Sequence, residues 1–445
     1  MKILHYALGF PPYRTGGLTK FCMDLMIQQN IEGHQVAMLW PGQMGFLYHK
    51  VAVKDRGIVK RTDNSGIRSF EVINPLPVSY DEGISNFEAF TLDEGENVYR
   101  KLLQLYEPDV IHVHTLMGLH RSFLVAAKKE KIRLIFSAHD FFPICPKVTM
   151  FRNGQLCPSV GSCAECGSCN STSLSIKKIR LLQSPIYKVL KDSPIIRKLR
   201  KQHRDEFHSK NANSENSVET GNSEDYKKLR NHYYQILRLM DMIHYNSTLT
   251  KNIYERYFEF PKSTVIKISH ADIFDNRKMK KFTNHIRFTY LGAQSGAKGY
   301  FVLKKALDKL WEVTHNFELN VYFEPIEPAI YIKSHPRYTY SDLSQIMDKT
   351  DMLITPSVWY ETFGYTVLEA LSYGVPVLIS GNVGAKDILV AGAGIIVEDM
   401  DVDKLYNQLR EIVHHKLEQM NIVILKDQDI ITLEDMSKSI KEIYY

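Results

Sequence analysis

The 445-residue chain has no run of about 18 apolar residues, so no helix in it is expected to span a bilayer. Its opening, Met1-Lys2-Ile3-Leu4-His5-Tyr6, is too short and too polar for a signal peptide, which leads to an expected cytoplasmic location. Cysteine is scarce: there are six, and five of them fall between positions 145 and 169. That distribution excludes a disulfide framework spread through the fold and fits a reduced compartment with one local thiol cluster. Neither sign of charge dominates. A formal charge of +6 is modest, so any strongly charged surface must be local. What remains is 44% hydrophobic and 24% charged, the profile of a soluble globular protein of two or three domains, long enough for two full cores.

Apolar runs alternate with helical patterns along the chain. Residues 2–8 read as a strand, Pro11-Pro12-Tyr13-Arg14-Thr15-Gly16-Gly17 as a loop, and 18–31 as a helix with Leu18, Phe21, Leu25 and Met26 at helical spacing. Gly33 ends that helix and 35–40 is the next strand. Gly16 and Gly17 at a helix start can present bare N–H groups to a diphosphate, and a plain tight turn fits them equally. Residues 41–100 give strands and turns without legible chemistry. Such alternation predicts two doubly wound α/β domains. The first spans 1–275, a polar basic linker follows over 275–285, and the second spans 286–430, with a last helix over 432–445.

The most informative stretch is 356–374, PSVWYETFGYTVLEALSYG. An apolar strand precedes it and another follows at 375–379, so its loop lies at the carboxyl end of a strand, where ligands bind in open parallel sheets. Phe363, Gly364, Tyr365 and Thr366 open a helix whose free N–H groups suit a phosphate. Glu369, one turn in, suits a ribose diol, and Glu361 in the loop suits a sugar hydroxyl. Two solvated surface glutamates are the bland alternative. The loop Gly292 to Gly299 carries Lys298 at a second helix start, which adds one mobile charge to fixed N–H groups.

Taken whole, PS-x3-E-x-FG-x4-EA-x3-G-x-PV resembles glycosyltransferase family 4, retaining enzymes of the GT-B fold that use nucleotide-sugar donors. The opening is similar too, through Pro11, Pro12, Gly16, Gly17, Gly33, His34 and Val36, and so is the G-x5-KG loop ending at Lys298. The resemblance implies two facing Rossmann-like domains over an interdomain cleft, with the last helix crossing back to the first domain. It implies transfer of a sugar from a nucleotide-diphosphate sugar to an acceptor hydroxyl with retained configuration, of hexosyltransferase type. In such enzymes the acceptor attacks from the leaving-group side and a phosphate oxygen takes its proton. The paired carboxylates that would hold Mg²⁺ on a diphosphate are lacking, so metal-independent turnover without a catalytic cofactor is expected. Donor contacts fall on Gly16, Gly17, His139, Lys298, Phe363, Gly364, Tyr365, Thr366 and Glu369, and catalytic roles on His114, Glu361 and Lys298. His112 reads as structural, and Asp140 as orienting His139. Family members often carry Arg where this chain has Ala293, so Arg14 or Lys386 is expected to supply the second phosphate charge. A non-catalytic scaffold of the same fold and a nucleotide-sugar epimerase are the competing readings.

Cys163, Cys166 and Cys169 form C-x2-C-x2-C, a spacing that favours tetrahedral zinc. A subset of the family carries a similar arrangement after an HD motif, here His139-Asp140. That resemblance implies a structural zinc on Cys145, Cys157, Cys163 and Cys166, with Cys169 as an alternative ligand. Residues 177–204 hold ten Lys or Arg against one acid, Asp192, interleaved with apolar residues. This basic helical insertion suits an anionic membrane surface, peripheral on the inner face. A solvated helical hairpin is its alternative, and no aromatic stacking pattern supports nucleic acid. The expected acceptor is a lipid-linked oligosaccharide of bacterial surface polysaccharide assembly, with a soluble acceptor left open. Residues 209–224 (SKNANSENSVETGNSE) read as a mobile loop.

Overall fold

A computed structural model describes residues 1–11, 14–45, 49–59, 66–157, 161–190, 193, 222–260 and 262–445. Two parallel sheets organise it. The first contains β1 (Lys2–Tyr6), β2 (Gln35–Pro41), β3 (Ala52–Val59), β4 (Ile67–Ile73), β5 (Val110–Val113) and β6 (Arg133–Ala138). A small hairpin, β7 (Phe151–Arg152) and β8 (Gln155–Leu156), stands apart; β9 (Met242–Tyr245) and β10 (Ser263–Val265) complete the sheet. Its order is β10-β9-β6-β5-β1-β2-β4-β3, parallel except that β3 runs antiparallel at the edge. The second contains β11 (Ile286–Tyr290), β12 (Phe317–Val321), β13 (Ile332–Ser334), β14 (Met352–Thr355), β15 (Val377–Ser380) and β16 (Gly394–Val397). Its order is β13-β12-β11-β14-β15-β16, parallel throughout.

The central strands β5 and β15 are buried on both faces, as sheets covered by helices require, whereas the edge strand β3 is largely exposed. Strand order reverses between β1 and β5 in the first sheet and between β11 and β14 in the second. A crevice opens at such points because consecutive loops turn to opposite sides. The loops after β11 and β14 are the ones that carry Lys298 and Glu361.

One apolar core crosses the two sheets. Phe21 and Met26 of the Gly17–Ile31 helix share it with Val367 and Leu371 of the Tyr365–Ser372 helix and with Met436 and Ile440 of the Leu433–Glu442 helix. Beyond that last helix, the Tyr444 hydroxyl is buried in the first domain against Gln29 and His112. The connecting segment after residue 275 is tied down: Lys280 is buried and its Nζ donates to the Met347 carbonyl at 2.6 Å.

Several elements depart from the sequence expectation. Residues 96–106 form a helix (Glu96–Tyr106) that buries Tyr99, Leu102, Leu103 and Tyr106 and begins inside the 41–100 stretch read as strands and turns. A helix over His414–Asp427 follows the Val402–Arg410 helix and precedes the expected last helix. The helix after the polar stretch starts at Ser223, capped by the Asn222 side chain, so residues 222–224 are not loop. Residues 194–221, which include most of that stretch and five of the ten basic residues of the insertion, lie outside the described residues. Among the described residues no helix is long and apolar enough to cross a membrane.

Candidate active site

Two helices begin at the cleft. Gly16 (φ 107°) caps the Gly17–Ile31 helix and Gly364 (φ 101°) caps the Tyr365–Ser372 helix. A Cβ on Gly17 would stand 3.5 Å from the Tyr365 ring, so the two helix starts abut. Between them lies a cavity of about 510 Å³ lined from both sheets. Gly16, Gly17 and His139 come from the first; Lys298, Glu361 and Glu369 from the second; Phe363, Gly364, Tyr365 and Thr366 close one side. The unsatisfied N–H groups and positive dipole ends of two helices aimed at one space favour an anion there.

The lysine loop and the glutamate loop are locked together. The N–H groups of Val358 and Trp359 both donate to the Ala297 carbonyl, at 2.9 and 3.1 Å. A Cβ on Gly299 (φ 76°) would lie 1.8 Å from the Pro356 carbonyl oxygen, so only glycine permits this approach. Glu361 is fixed from behind by its N–H to the Asn382 carbonyl at 2.9 Å, and Trp359 Nε1 donates to its carboxylate at 2.7 Å. Lys298 Nζ pairs with the same carboxylate and lies 5.0 Å from the Trp359 ring centroid. A donor phosphate and a sugar hydroxyl can therefore meet the two partners of one ion pair.

Glu369 is only 3% exposed. His270 Nε2 donates to its Oε1 at 3.0 Å, while His270 Nδ1 accepts from the Asp272 N–H at 3.2 Å. That backbone N–H fixes the tautomer and makes Nε2 the donor. The second carboxylate oxygen remains for a ligand. Two further hydroxyls at the cavity, of Ser357 and Tyr365, are buried without a hydrogen-bond partner among the described residues.

The structure brings most of the expected site residues together and moves others away. His114 does not line the cavity: it is fully buried and stands behind His139, with Nδ1 at 3.3 Å from His139 Nε2 and Nε2 at 2.8 Å from His5 Nδ1. Asp140 does not orient His139. Its carboxylate accepts the Phe142 N–H at 3.0 Å, and burial pushes it up to about 6. Burial holds His139 down at about 3 and His114 well below the usual imidazole range, so both rings are neutral. Neither Arg14 nor Lys386 reaches the cavity: Arg14 lies over the Tyr80 ring and Lys386 Nζ donates to the Gly381 carbonyl at 2.8 Å. The cavity's other lysine is Lys20, one turn into the first helix from Gly16, held by Asp24 at 2.9 Å and Asp272 at 2.6 Å. Its i+4 spacing from Gly16 was the available sequence signal; that of His270 was none.

The five clustered cysteines lie close enough to influence one another, with Cys163 hydrogen-bonded to Cys166 and Cys145 near both Cys157 and Cys169. No disulfide joins them. Among the described residues one group of three side chains brings metal-ligating atoms within 4.8 Å of one another: His5, His112 and His114. All six of their ring nitrogens are already engaged in hydrogen bonds.

Comparison with known proteins agrees with this geometry. The model described as Glycosyltransferase Family 4 matches residues 15–156 and that described as Glycosyl transferases group 1 matches residues 332–424, together more than half of the chain. The chain belongs to glycosyltransferase family 4. This family 4 chain is 23% identical over 169 residues to an uncharacterized 42.6 kDa protein in cps region of Klebsiella pneumoniae, an alignment covering 35% of this chain and 41% of that protein. Its fold is similar to a glycosyltransferase from Rickettsia africae (TM-score 0.59, 14% identity, 100% of this chain and 97% of the other). It is also similar to Anabaena Alr3699/HepE, solved in complex with UDP and glucose (TM-score 0.53, 13% identity, 100% and 99% covered). The shared fold is GT-B, two Rossmann-like domains facing a cleft.

Proposed function

We propose that this glycosyltransferase moves a sugar from a nucleotide-diphosphate sugar to an acceptor hydroxyl, with retained anomeric configuration and without a catalytic metal. The observation that carries the reading is the convergence of two helix starts and Lys298 on one cavity. As the sugar leaves, negative charge grows on the diphosphate. Fixed N–H groups at Gly16–Gly17 and Gly364–Thr366, with Lys298 beside them, stabilise that charge without reorganising. Glu369 accepts from the ribose, and Glu361 from a sugar hydroxyl. Both acidic groups are committed to protein donors, His270 for one and Lys298 with Trp359 for the other, which supports their use as hydrogen-bond acceptors rather than metal ligands. That Alr3699/HepE is solved with UDP supports a uridine or related nucleotide as donor.

The acceptor in this reading is a glycolipid or oligosaccharide of bacterial surface polysaccharide assembly, met at the inner membrane face. Leu181, Leu182 and Ile186 are exposed on the short helices Ile176–Leu182 and Pro185–Leu190, beside exposed Lys177 and Lys178. Apolar residues flanked by lysines suit an anionic bilayer. Replacing all three with serine is expected to abolish co-flotation with phosphatidylglycerol vesicles; undiminished flotation would remove the patch from that role. A structural zinc on Cys145, Cys157, Cys163 and Cys166, with Cys169 as an alternative ligand, belongs to this reading and would have to draw the thiols together, because no three of them lie within 4.8 Å of one another among the described residues. Metal analysis of protein purified without chelator should return about one zinc per chain; zero ends the idea.

The deciding experiment is a thermal-shift panel of nucleoside diphosphates and nucleotide-sugars with and without EDTA. A ligand at about 100 times its Kd adds about 2.7 kcal/mol. A rise with one nucleotide, insensitive to EDTA, is expected. No rise with any of them would return the chain to a scaffold role.

A further inference from the structure

From the cavity inwards runs a chain of eight hydrogen bonds through the half-buried His139 and four buried histidines. Starting at the cavity, His139 Nε2 meets His114 Nδ1 (3.3 Å), His114 Nε2 meets His5 Nδ1 (2.8 Å), and His5 Nε2 meets Gln29 Oε1 (2.8 Å). Gln29 Nε2 meets the Tyr444 hydroxyl (3.0 Å), which meets His112 Nδ1 (2.7 Å). His112 Nε2 meets Ser137 Oγ (2.6 Å), Ser137 Oγ meets His244 Nδ1 (2.7 Å), and His244 Nε2 ends on the Ile266 carbonyl (2.8 Å).

The far end decides the direction of every bond. A carbonyl oxygen only accepts, so His244 must carry its proton on Nε2. In a neutral ring its Nδ1 is then an acceptor, so Ser137 donates to it. Ser137 Oγ therefore accepts from His112 Nε2–H, and His112 Nδ1 accepts from Tyr444. Tyr444 has then spent its one proton and must accept, so it faces the Gln29 amide nitrogen. The Gln29 oxygen is left to accept from His5 Nε2–H. The same step repeats at His114 and at His139. Reversing the chain would set two acceptors, His244 Nε2 and the Ile266 oxygen, face to face at 2.8 Å. Burial keeps the rings neutral: His5 and His244 are held at about 4, and His112 well below the usual range.

We infer that this chain locks His139 with its proton on Nε2 and an unprotonated Nδ1 open to the cavity, there to accept a hydrogen bond from a sugar hydroxyl. Nδ1 has no partner among the described residues, and His139 lines the cavity. The inference rests on the donor-site reading for the identity of the hydroxyl, but not for the tautomer. Gln29, Tyr444, His112, Ser137 and His244 are then positioning residues, acting on the site without touching it. They replace the carboxylate that sequence suggested for that task, Asp140. The same accounting argues against a metal on His5, His112 and His114, because every lone pair and proton there already has a complement.

The test reads tautomers directly and needs no substrate. Full-length protein with ¹⁵N-labelled histidine rings is examined at pH 7.5 by long-range ¹H–¹⁵N correlation, with His139 assigned by its loss in His139→Asn. His139 is expected as the neutral Nε2–H form. Gln29→Met and Ser137→Ala each cut the single path to the Ile266 carbonyl at a different point. Either, if folded by its melting profile, should let the Nδ1–H form of His139 appear, while a purely structural role would leave it unchanged. An Nδ1–H or doubly protonated His139 in the parent protein overturns the inference, and so does an unaltered His139 signal in folded variants of both kinds. Neither result bears on the nucleotide panel, so the two readings fail separately.

Discussion

Glu369 has one carboxylate oxygen committed to His270 and one to offer. Glu369→Ala should weaken nucleoside diphosphate binding by about 1–3 kcal/mol, the scale of a lost charged hydrogen bond. Calorimetric titration checks it, and unchanged affinity would take the ribose role from this residue. Glu361, Glu369 and Lys298 were legible in the sequence because each stands at a fixed offset from a glycine that opens a helix, so local spacing alone aims them. His270 was not. It is 99 positions from its partner, and nothing in its neighbourhood marks it. His114 shows the opposite failure. The resemblance gave it a catalytic role at the cavity, but a longer-range packing choice put His139 in front.

At the level of elements, the meeting of two switch-point loops is the most exacting feature. Gly299→Ala adds a methyl group that meets the Pro356 carbonyl and sits at a left-handed backbone position. Strain and overpacking together should cost about 3 kcal/mol of stability. A urea unfolding curve would show this as a lowered midpoint with unchanged slope. Both sheets were foreseeable because βαβ units write their period plainly. The Glu96–Tyr106 helix was missed although Tyr99, Leu102, Leu103 and Tyr106 keep helical spacing, because the strands before it dominated the reading of that stretch. The His414–Asp427 helix has a weaker stripe, with only Leu417, Met420, Asn421 and Ile424 buried.

For the whole molecule, the buried histidines set an acid limit. An unfolded histidine titrates near 6.5, whereas His5, His139 and His244 are held at about 4, 3 and 4 in the folded protein. Between those values the unfolded chain binds the extra protons, so stability is complete above about 6.5 and falls as the pH drops towards 4. Each histidine removes about 1.4 kcal/mol per pH unit over that interval. Asp140, raised to about 6, binds its proton in the folded state and opposes one of them. Urea midpoints measured from pH 7.5 to 4.5 should decline steeply, and a flat profile would show that the cluster is not neutral and buried. None of this was visible beforehand, because the histidines gather from positions 5, 112, 114, 139 and 244 and only the sheet order brings them together.

The docking of Tyr444 between Gln29 and His112 also bears on how such a chain can be recombined. The second sheet is an insertion, in chain order, between the first sheet and the residue that completes the first sheet's interior. A chimera that exchanges everything beyond residue 275 would bring in a foreign closing helix and strand the polar side chains it was meant to satisfy. Crossovers that respect the molecule fall on both sides of the second sheet, so the transplantable unit is the middle of the gene rather than its latter half.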